Sequence, residues 1–425
     1  MYYFDNNATT KPFKECVDMV HKVMLDNWHN PSSGYPEGKL AYQLIEEARE
    51  RISEFLNCSS SDLVFTSIGT ECNHLVFSSI IETFPKPHII TSCIEHESVI
   101  NVLERFHKDG VIDLSICQVD QDTGYINPDE LMKLVRQETR LISVMTVNNV
   151  TGIVQPIREI ADRIKQYRDE KDSEIFFHTD ACQSVAKMNL DVSYLGVDYA
   201  TIDGHKFYAP KVGVLYVRDC LKVGGAPARP TLIGGSQERN LRSGTQNTPL
   251  IAGIGLAMQI IRKNFDSYIS KLTQIREKFE QELCSAFQKE PLPKSSESKI
   301  KLIIFGVDKC RDESRWREDL EKNPRRVSNT LTIAFEGEPW INSKRILHFC
   351  PEVRASRGAA CQSLKRPGKN PNLDGSEILI KHGYSDQLAA SAIRLSFGIH
   401  NSFDEIRPAV ALIHAAVEKA LEELM

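Results

Sequence analysis

The chain has 425 residues, which is enough for two domains with separate hydrophobic cores. Its net charge of −5 gives no strong positive field, which argues against nucleic acid or an anionic membrane surface as a partner. No run approaches the roughly 20 apolar residues that span a bilayer, and the N-terminus has no signal-peptide or transit-peptide pattern. We therefore expect a globular protein of the cytoplasm.

Short apolar runs alternate with helical patterns over the first 250 residues. Continuous apolar strands separated by helices are typical of a parallel sheet that is covered on both faces. We therefore predict an α/β fold whose large domain has a mostly parallel, seven-stranded sheet. The predicted strands are 63–66, 88–91, 114–119, 141–147, 175–179, 199–202 and 213–217, and an early helix covers 38–57.

The pattern changes after about residue 249. Two helices at 250–263 and 266–287, strands at 301–305 and 330–335, and a final amphipathic helix at 403–424 predict a smaller α+β domain. We place the large domain at residues 14–260 and the small domain at 1–13 together with 261–425. Two polar stretches, 308–326 and 364–375, are predicted to be surface loops.

The 11 cysteines form an odd, scattered set without Cys-x-x-Cys pairs or zinc-type spacing with histidine. Such a set is typical of reduced thiols, and we expect no metal site. Cys93, Cys117 and Cys182 lie in or beside apolar runs, so we expect them to be buried. Cys361 differs because small residues surround it, which is typical of a functional loop.

Three polar segments each follow a predicted strand. Gly69 lies in a strand–helix turn whose free N–H groups suit a phosphate, although an ordinary turn explains it as well. Asp180 ends an apolar run, where it could pair with a pyridinium nitrogen or simply cap a helix. Lys206 follows Gly204-His205 after a third run, where a lysine is a candidate for a Schiff base rather than a surface charge.

These segments, in this order, resemble the cysteine desulfurase and selenocysteine lyase family of fold-type-I enzymes, which use pyridoxal 5′-phosphate (PLP). The resemblance extends from FDNNATT at 4–10 to IRLSFG at 393–398. Between them lie NPSS at 30–33, GTE at 69–71, EHES at 95–98, NN at 148–149, GHK at 204–206 and RSGT at 242–245. Several independent motifs in the same order make chance agreement improbable.

The resemblance implies five contacts to the cofactor ring. Lys206 would bind PLP covalently, and Asp180 would pair with the ring nitrogen. His96 would stack on the ring and assist proton transfer. Asn149 and Gln183 would donate hydrogen bonds near the 3-oxygen of the ring.

The resemblance also implies how the phosphate and the substrate are held. Three residues of one subunit would bind the phosphate, namely Gly69, Thr70 and His205. Thr245 would reach the phosphate from the other subunit, which implies a homodimer. Asn30 and Arg394 would bind the substrate carboxylate, for which a guanidinium fork is well suited.

Cys361 determines the reaction that we predict. Family members carry a nucleophilic cysteine in a very similar segment, so its thiol would attack the sulfur or selenium of the substrate. We predict conversion of L-selenocysteine to L-alanine and selenide, with a selenium or sulfur acceptor protein as a further partner. The alternative is a cysteine desulfurase that supplies persulfide for iron–sulfur or thio-cofactor assembly. Another fold-type-I enzyme, or an inactive scaffold, is less favoured.

Asp203 departs from the family pattern. Many members have a small residue there, often serine, that can touch the phosphate. A carboxylate at this position would repel the phosphate unless it points away. Asp203 is therefore not among the predicted site residues.

Overall fold

The computed structural model describes residues 1–289, 292, 300–306, 325–357 and 375–424. Cys361 and most of the two polar stretches lie outside these residues. The strands are β1 (Tyr2–Tyr3), β2 (Leu63–Thr66), β3 (His88–Ser92), β4 (Asp113–Cys117), β5 (Thr139–Ser143), β6 (Phe176–Asp180), β7 (Tyr199–Asp203), β8 (Gly213–Val217), β9 (Lys301–Phe305), β10 (Thr330–Glu336), β11 (Val353–Arg354) and β12 (Ile393–Ser396).

The helices alternate with these strands through the first half of the chain. They are α1 (Lys14–Asp26), α2 (Pro36–Leu56), α3 (Gly69–Thr83), α4 (Glu97–Lys108), α5 (Pro128–Met132), α6 (Ile157–Lys171), α7 (Val192–Leu195), α8 (Thr248–Lys289), α9 (Ser343–Phe349), α10 (Glu377–Lys381), α11 (Asp386–Ser391) and α12 (Ile406–Glu422). In the described part of the chain, we find no helix with the length and apolarity that crossing a membrane requires.

The large sheet has seven strands in the order β2-β8-β7-β6-β5-β3-β4. Only β8 runs against its neighbours β2 and β7, and all other pairs are parallel. The predicted α/β fold with a mostly parallel, seven-stranded sheet is therefore confirmed. Each predicted strand is present, with its ends shifted by no more than a few residues.

Helices cover both faces of this sheet, which explains why its strands are mostly apolar. Leu141 faces α3 and α4 in one hydrophobic cluster, whereas the next residue, Ile142, faces α2, α6 and α8 in the other. Because successive side chains of a strand point to opposite faces, most positions of a central strand are apolar. Polar residues inside these strands, such as His178 and Thr201, are fully buried and hydrogen-bonded to each other, with 3.1 Å between His178 Nε2 and Thr201 Oγ1.

The C-terminal half adds a smaller antiparallel sheet in the order β12-β10-β9. The strand β1 pairs in parallel with β11, so the N-terminal segment packs beside this second sheet. The two helices predicted at 250–263 and 266–287 form the single helix α8, which is kinked at Asn264. The predicted boundary at 260/261 falls within α8, and the division into two domains stays a prediction.

Candidate active site

The carboxyl ends of two neighbouring parallel strands bring Asp180 and Lys206 to one edge of the large sheet. Asp180 is the last residue of β6 and is 6% exposed. Lys206 ends the short 3-10 turn that follows β7, the next strand in the sheet. In an open α/β sheet this edge is the usual position of a ligand crevice.

Two N–H donors hold the Asp180 carboxylate in place. One oxygen accepts from Asn73 Nδ2 at 3.0 Å, and the other accepts from the Cys182 backbone N–H at 3.0 Å. Residues 182–187 form turns rather than a helix, so Asp180 is not the helix N-cap that was the alternative. Asn73 was not predicted, because a single asparagine within a helical pattern gives no signal of its own.

His96 is linked to Asp180 by a chain of hydrogen bonds. His96 caps α4, and its Nδ1 accepts from the Ser98 N–H at 3.1 Å and lies 2.8 Å from Ser98 Oγ. Asn73 Nδ2 donates to the same Ser98 Oγ at 2.9 Å and to Asp180. Because Nδ1 is an acceptor, a neutral His96 ring carries its proton on Nε2. The structure therefore brings His96 and Asp180 together in one hydrogen-bonded network.

The N-terminal segment contacts Lys206 directly. Lys206 Nζ donates to the carbonyl oxygens of Asn7 at 3.0 Å and Ala8 at 2.9 Å. Gln183 Nε2 donates to the same Asn7 carbonyl at 3.0 Å, which places Gln183 beside Lys206. Asn7 belongs to the motif FDNNATT but is not among the predicted site residues, because its partners are distant in sequence.

A second lysine lies buried behind Gln183. Lys187 Nζ donates to Gln183 Oε1. Burial, reinforced by the positive charges of Lys206 and Arg394, lowers the pKa of Lys187 well below its usual value. Lys187 therefore orients the Gln183 amide by donating to its oxygen.

Glu95 is a further buried group that was not predicted as a site residue. Its Oε1 accepts from Ser92 Oγ and, at 2.9 Å, from the Met145 N–H group. Its Oε2 is buried without a hydrogen-bond partner. Burial raises the pKa of Glu95 to about 8. The carboxyl group beside His96 is therefore largely protonated at neutral pH.

Gly69 begins α3, as the turn pattern predicted. Its N–H donates to Asp203 Oδ2 at 2.7 Å. A Cβ atom at Gly69 would lie 3.0 Å from Cys182 Sγ and 3.3 Å from the Asp203 side chain, so a larger residue would crowd this turn. Thr70, the next residue, is exposed at the start of the helix.

His205 lies half-buried beside the same turn. Its Nδ1 is 3.2 Å from Thr9 Oγ1, and its Nε2 is 3.6 Å from Asp203 Oδ2. Burial and the nearby Lys206 lower the pKa of His205 to about 3. The ring is therefore neutral at pH 7, and it can donate or accept a hydrogen bond but adds no positive charge.

Two of the cysteines expected to be buried, Cys93 and Cys117, are buried. Cys182, in contrast, is partly exposed at the site. Burial of its thiol, followed by the charge of Asp180, raises the pKa of Cys182 well above its usual value. Because only the thiolate is a strong nucleophile, Cys182 is a poor candidate for nucleophilic attack.

Arg394 lies on β12 and is only 1% exposed. Its guanidinium donates to Asp5 Oδ1 at 2.6 Å and to the Asn149 carbonyl at 2.9 Å. The Asn7 side chain donates to the same Asn149 carbonyl at 3.3 Å. Asn149, Arg394 and the residues around Lys206 therefore share one hydrogen-bonded network.

The segment that precedes Cys361 in the sequence is paired with Arg394. Ser356 forms backbone hydrogen bonds with Arg394 in both directions, at 3.1 and 2.8 Å. Cys361 follows Ser356 by five residues, so its Cα atom can lie at most about 18 Å from that of Ser356. The position of Cys361 itself lies outside the described residues.

Asn30 and Thr245 are both exposed, and neither is hydrogen-bonded to the residues around Lys206 in the described part of the chain. Asn30 Oδ1 accepts from the Ser32 N–H within its own loop. Three residues before Thr245, Arg242 Nε donates to Glu71 Oε1 in the first turn of α3 at 2.8 Å. The loop of Thr245 is thereby attached to the helix that begins at Gly69.

The site has the groups that PLP requires. Lys206 supplies an amine for the aldehyde, Asp180 a carboxylate for the ring nitrogen, and α3 free N–H groups for the phosphate. Among the described residues of this site, four buried polar atoms lack a hydrogen-bond partner, namely Asn73 Oδ1, Glu95 Oε2, Asp203 Oδ1 and Arg394 Nε. The one group that does not suit a phosphate is the Asp203 carboxylate.

Comparison with known proteins agrees with this chemistry. Residues 2–314 match the family model described as aminotransferase class-V. The chain is 34% identical to a selenocysteine lyase of Homo sapiens, over 98% of this chain and 91% of that protein. It is 32% identical to a cysteine desulfurase IscS of Dictyoglomus turgidum, over 98% and 94%.

Solved structures give the same result. A NifS-like protein has a TM-score of 0.79 at 28% identity, covering 98% of this chain and 99% of that one. A structure of SspA in complex with cysteine has a TM-score of 0.70 at 28% identity, covering 95% and 100%. The similarity thus extends over nearly the full length of the chain.

Proposed function

Because the chain belongs to the aminotransferase class-V family and uses PLP as its cofactor, we propose that it is a selenocysteine lyase. In this reaction L-selenocysteine is split into L-alanine and selenium, which Cys361 accepts as a perselenide. An external thiol then supplies the two electrons that release the selenium as selenide. The fold type and the family predicted from the residues are confirmed.

The proposed roles follow from the contacts around Lys206. The bound cofactor supplies an electron-withdrawing ring that weakens the bonds at the α-carbon of the substrate. Asp180, fixed by Asn73, keeps the ring nitrogen protonated, and Lys206 attaches the cofactor. His96 would stack on the ring and would transfer protons through Nε2, because its Nδ1 accepts from the Ser98 N–H.

The remaining predicted residues hold and orient the reactants. Asn149 and Gln183 donate hydrogen bonds near the 3-oxygen of the ring. The phosphate is bound by three residues at the edge of the sheet, Gly69, Thr70 and His205. Arg394 binds the substrate carboxylate together with Asn30, whose loop has to approach the site for this contact.

One observation carries the proposal: Lys206 and Arg394 both bind the segment at residues 5–8, and the chain that leads to Cys361 starts beside Arg394. An amino acid has an amino group, a carboxylate and, here, a chalcogen. The described residues offer a cofactor lysine and a guanidinium for the first two groups, and in the proposal Cys361 supplies a thiol for the third. This arrangement supports cleavage at the β-carbon of a cysteine-type substrate.

A cysteine desulfurase is the second candidate. It is favoured by the IscS relatives at 30–32% identity and by the structural similarity to SspA in complex with cysteine. A thiol with a pKa near 8.5 is mostly protonated at pH 7, whereas a selenol is mostly ionised. The two substrates therefore differ mainly in the charge that they bring to the site.

We further propose a homodimer in which Thr245 completes the phosphate site of the partner subunit. An acceptor protein for the selenium or sulfur, and the cytoplasm as compartment, belong to the same proposal. The exposed position of Thr245 supports a role at a subunit interface.

The decisive experiment is alanine release from L-selenocysteine and L-cysteine by the purified, PLP-loaded protein. We expect a strong preference for selenocysteine, and we expect Cys361→Ala to abolish turnover. Cys284→Ala, which removes a half-buried thiol of α8, is the matched control and should leave turnover unchanged.

Two results would overturn the proposal. Equal or faster turnover of cysteine, with sulfur bound to Cys361, would identify a desulfurase. Full turnover by Cys361→Ala would remove the thiol from the mechanism and point to another fold-type-I reaction.

A further inference from the structure

The carboxylate of Asp203 lies where the phosphate of the cofactor is proposed to bind. Its Oδ2 accepts a hydrogen bond from the Gly69 N–H at 2.7 Å. That N–H is the first of α3, a helix of 15 residues whose free N–H groups and dipole favour an anion. Asp203 is only 5% exposed, and its Oδ1 is buried without a hydrogen-bond partner. The chain thus places its own anion at the anion site.

The groups around Asp203 do not fully neutralise it. Five ionisable groups interact electrostatically with Asp203. Two of them, Lys206 and His205, belong to the adjoining turn. The others are Asp180 and Cys182 at the end of β6 and Cys72 of α3. His205 is neutral at pH 7, because its pKa is lowered to about 3. Lys206 is the cation of this set, and its Nζ donates to carbonyl groups of the N-terminal segment instead of to Asp203.

A buried carboxylate in these surroundings accepts a proton more readily than an exposed one. Burial raises the pKa of Asp203, and Asp180 adds to this effect, while the Gly69 N–H, the charge of Lys206 and the backbone N–H of His205 oppose it. A phosphate dianion at the same helix end would favour the protonated form further, because two adjacent anions repel each other in a poorly solvated site.

We propose that cofactor binding is linked to protonation of Asp203. When the phosphate binds at the N-terminus of α3, Asp203 takes up one proton from the solvent on Oδ1. The resulting O–H group donates a hydrogen bond to a phosphate oxygen, while Oδ2 keeps the Gly69 N–H. A serine would donate its hydroxyl at any pH, so the aspartate turns a permanent contact into a pH-dependent one. This inference rests on the proposed function, because it requires a cofactor that carries a phosphate.

Calorimetry with 4-deoxypyridoxine 5′-phosphate tests the linkage without relying on catalysis. This probe carries the phosphate of the cofactor but has no aldehyde to react with Lys206. The full-length protein, freed of cofactor, is titrated in two buffers of different ionisation enthalpy to count the protons taken up. We expect the native protein to take up about one proton more than Asp203→Asn. Between pH 7 and 9, the Kd of the native protein for the probe should also rise with pH. This rise should be about tenfold larger per pH unit than the rise for Asp203→Asn.

Two controls and one substitute variant make the result specific. Asp26→Asn changes an exposed aspartate at the end of α1 and should behave like the native protein. Pyridoxine, which lacks the phosphate, should give the same proton uptake in the native protein and in Asp203→Asn. Asp203→Ser replaces the asparagine variant in the comparison if that variant does not fold.

The outcomes separate this inference from the proposed function. Equal proton uptake and parallel Kd curves for the native protein and Asp203→Asn would overturn the linkage alone, because the proton would then go to the phosphate or to another group. Failure of the probe to bind any of the proteins would overturn the PLP site and, with it, the linkage.

Discussion

Glu95, directly before His96, gives the stability of the protein a pH dependence that can be predicted. Its pKa is raised from 4.5 to about 8 by burial. At a pH between 4.5 and about 8, Glu95 has lost its proton in the unfolded chain but keeps it in the folded protein. The stability contributed by the protonated group is therefore complete below about pH 4.5 and is lost as the pH rises toward 8, at up to about 1.4 kcal/mol per unit.

We expect Glu95→Gln to remove this slope. Compared with the native protein, the variant should gain stability steadily from pH 5 to pH 8, as measured by urea unfolding of the PLP-saturated proteins. Glu97→Gln, at the start of α4, is the control and should follow the native curve. Parallel curves for Glu95→Gln and the native protein would mean that the folded protein does not hold this proton.

At the scale of elements, a buried ion pair protects the edge of the large sheet. β2 is an edge strand, and Arg49 of α2 donates to its Leu63 carbonyl at 2.8 Å. Glu238 accepts from the Phe65 N–H of the same strand at 2.8 Å. Arg49 and Glu238 also bind each other through two hydrogen bonds of 2.8 and 2.9 Å. Together they satisfy backbone groups that an edge strand would otherwise expose.

Removal of Arg49 should therefore be costly. Arg49→Met leaves a buried carboxylate unpaired, and we expect it to lower the free energy of unfolding by about 3–5 kcal/mol. Adding Glu238→Gln should recover part of this loss, because the unpaired charge is then gone. Arg51 lies two residues after Arg49 in the same helix, and its ion pair with Glu47 is more exposed. Arg51→Met should therefore cost at most about 1 kcal/mol. Urea unfolding curves measure all three, and equal losses for Arg49→Met and Arg51→Met would refute the argument.

The same element shows what the sequence could and could not predict. The strands and α2 were predicted because apolar periodicity is a local property, and Asp180 and Lys206 were found because each follows an apolar run. The pairing of Arg49 with Glu238, 189 residues later, leaves no trace in that pattern. Asn7 was missed as a site residue for the same reason, since Gln183 and Lys206 reach its carbonyl from 176 and 199 residues away.

At the scale of the whole molecule, the proposed dimer predicts that two inactive variants can complement each other. If Thr245 serves the partner's site, a mixed dimer of Lys206→Ala and Thr245→Ala has one site with both residues intact. Random pairing yields half mixed dimers, so about a quarter of all sites should be active. If Thr245 serves its own subunit, no site in the mixture has both residues.

Co-expression of the two variants with different affinity tags, followed by two-step purification, isolates the mixed dimer. Its rate of alanine release per site should then be about half that of the native protein, because one of its two sites is intact. Rates no higher than those of the single variants would place Thr245 in its own subunit's site, to which the Arg242–Glu71 pair already attaches its loop. Full activity of Thr245→Ala alone would show that Thr245 does not bind the phosphate at all. A chain that elutes as a monomer while active would rule out the shared site, and with it the reason for Thr245 to lie exposed.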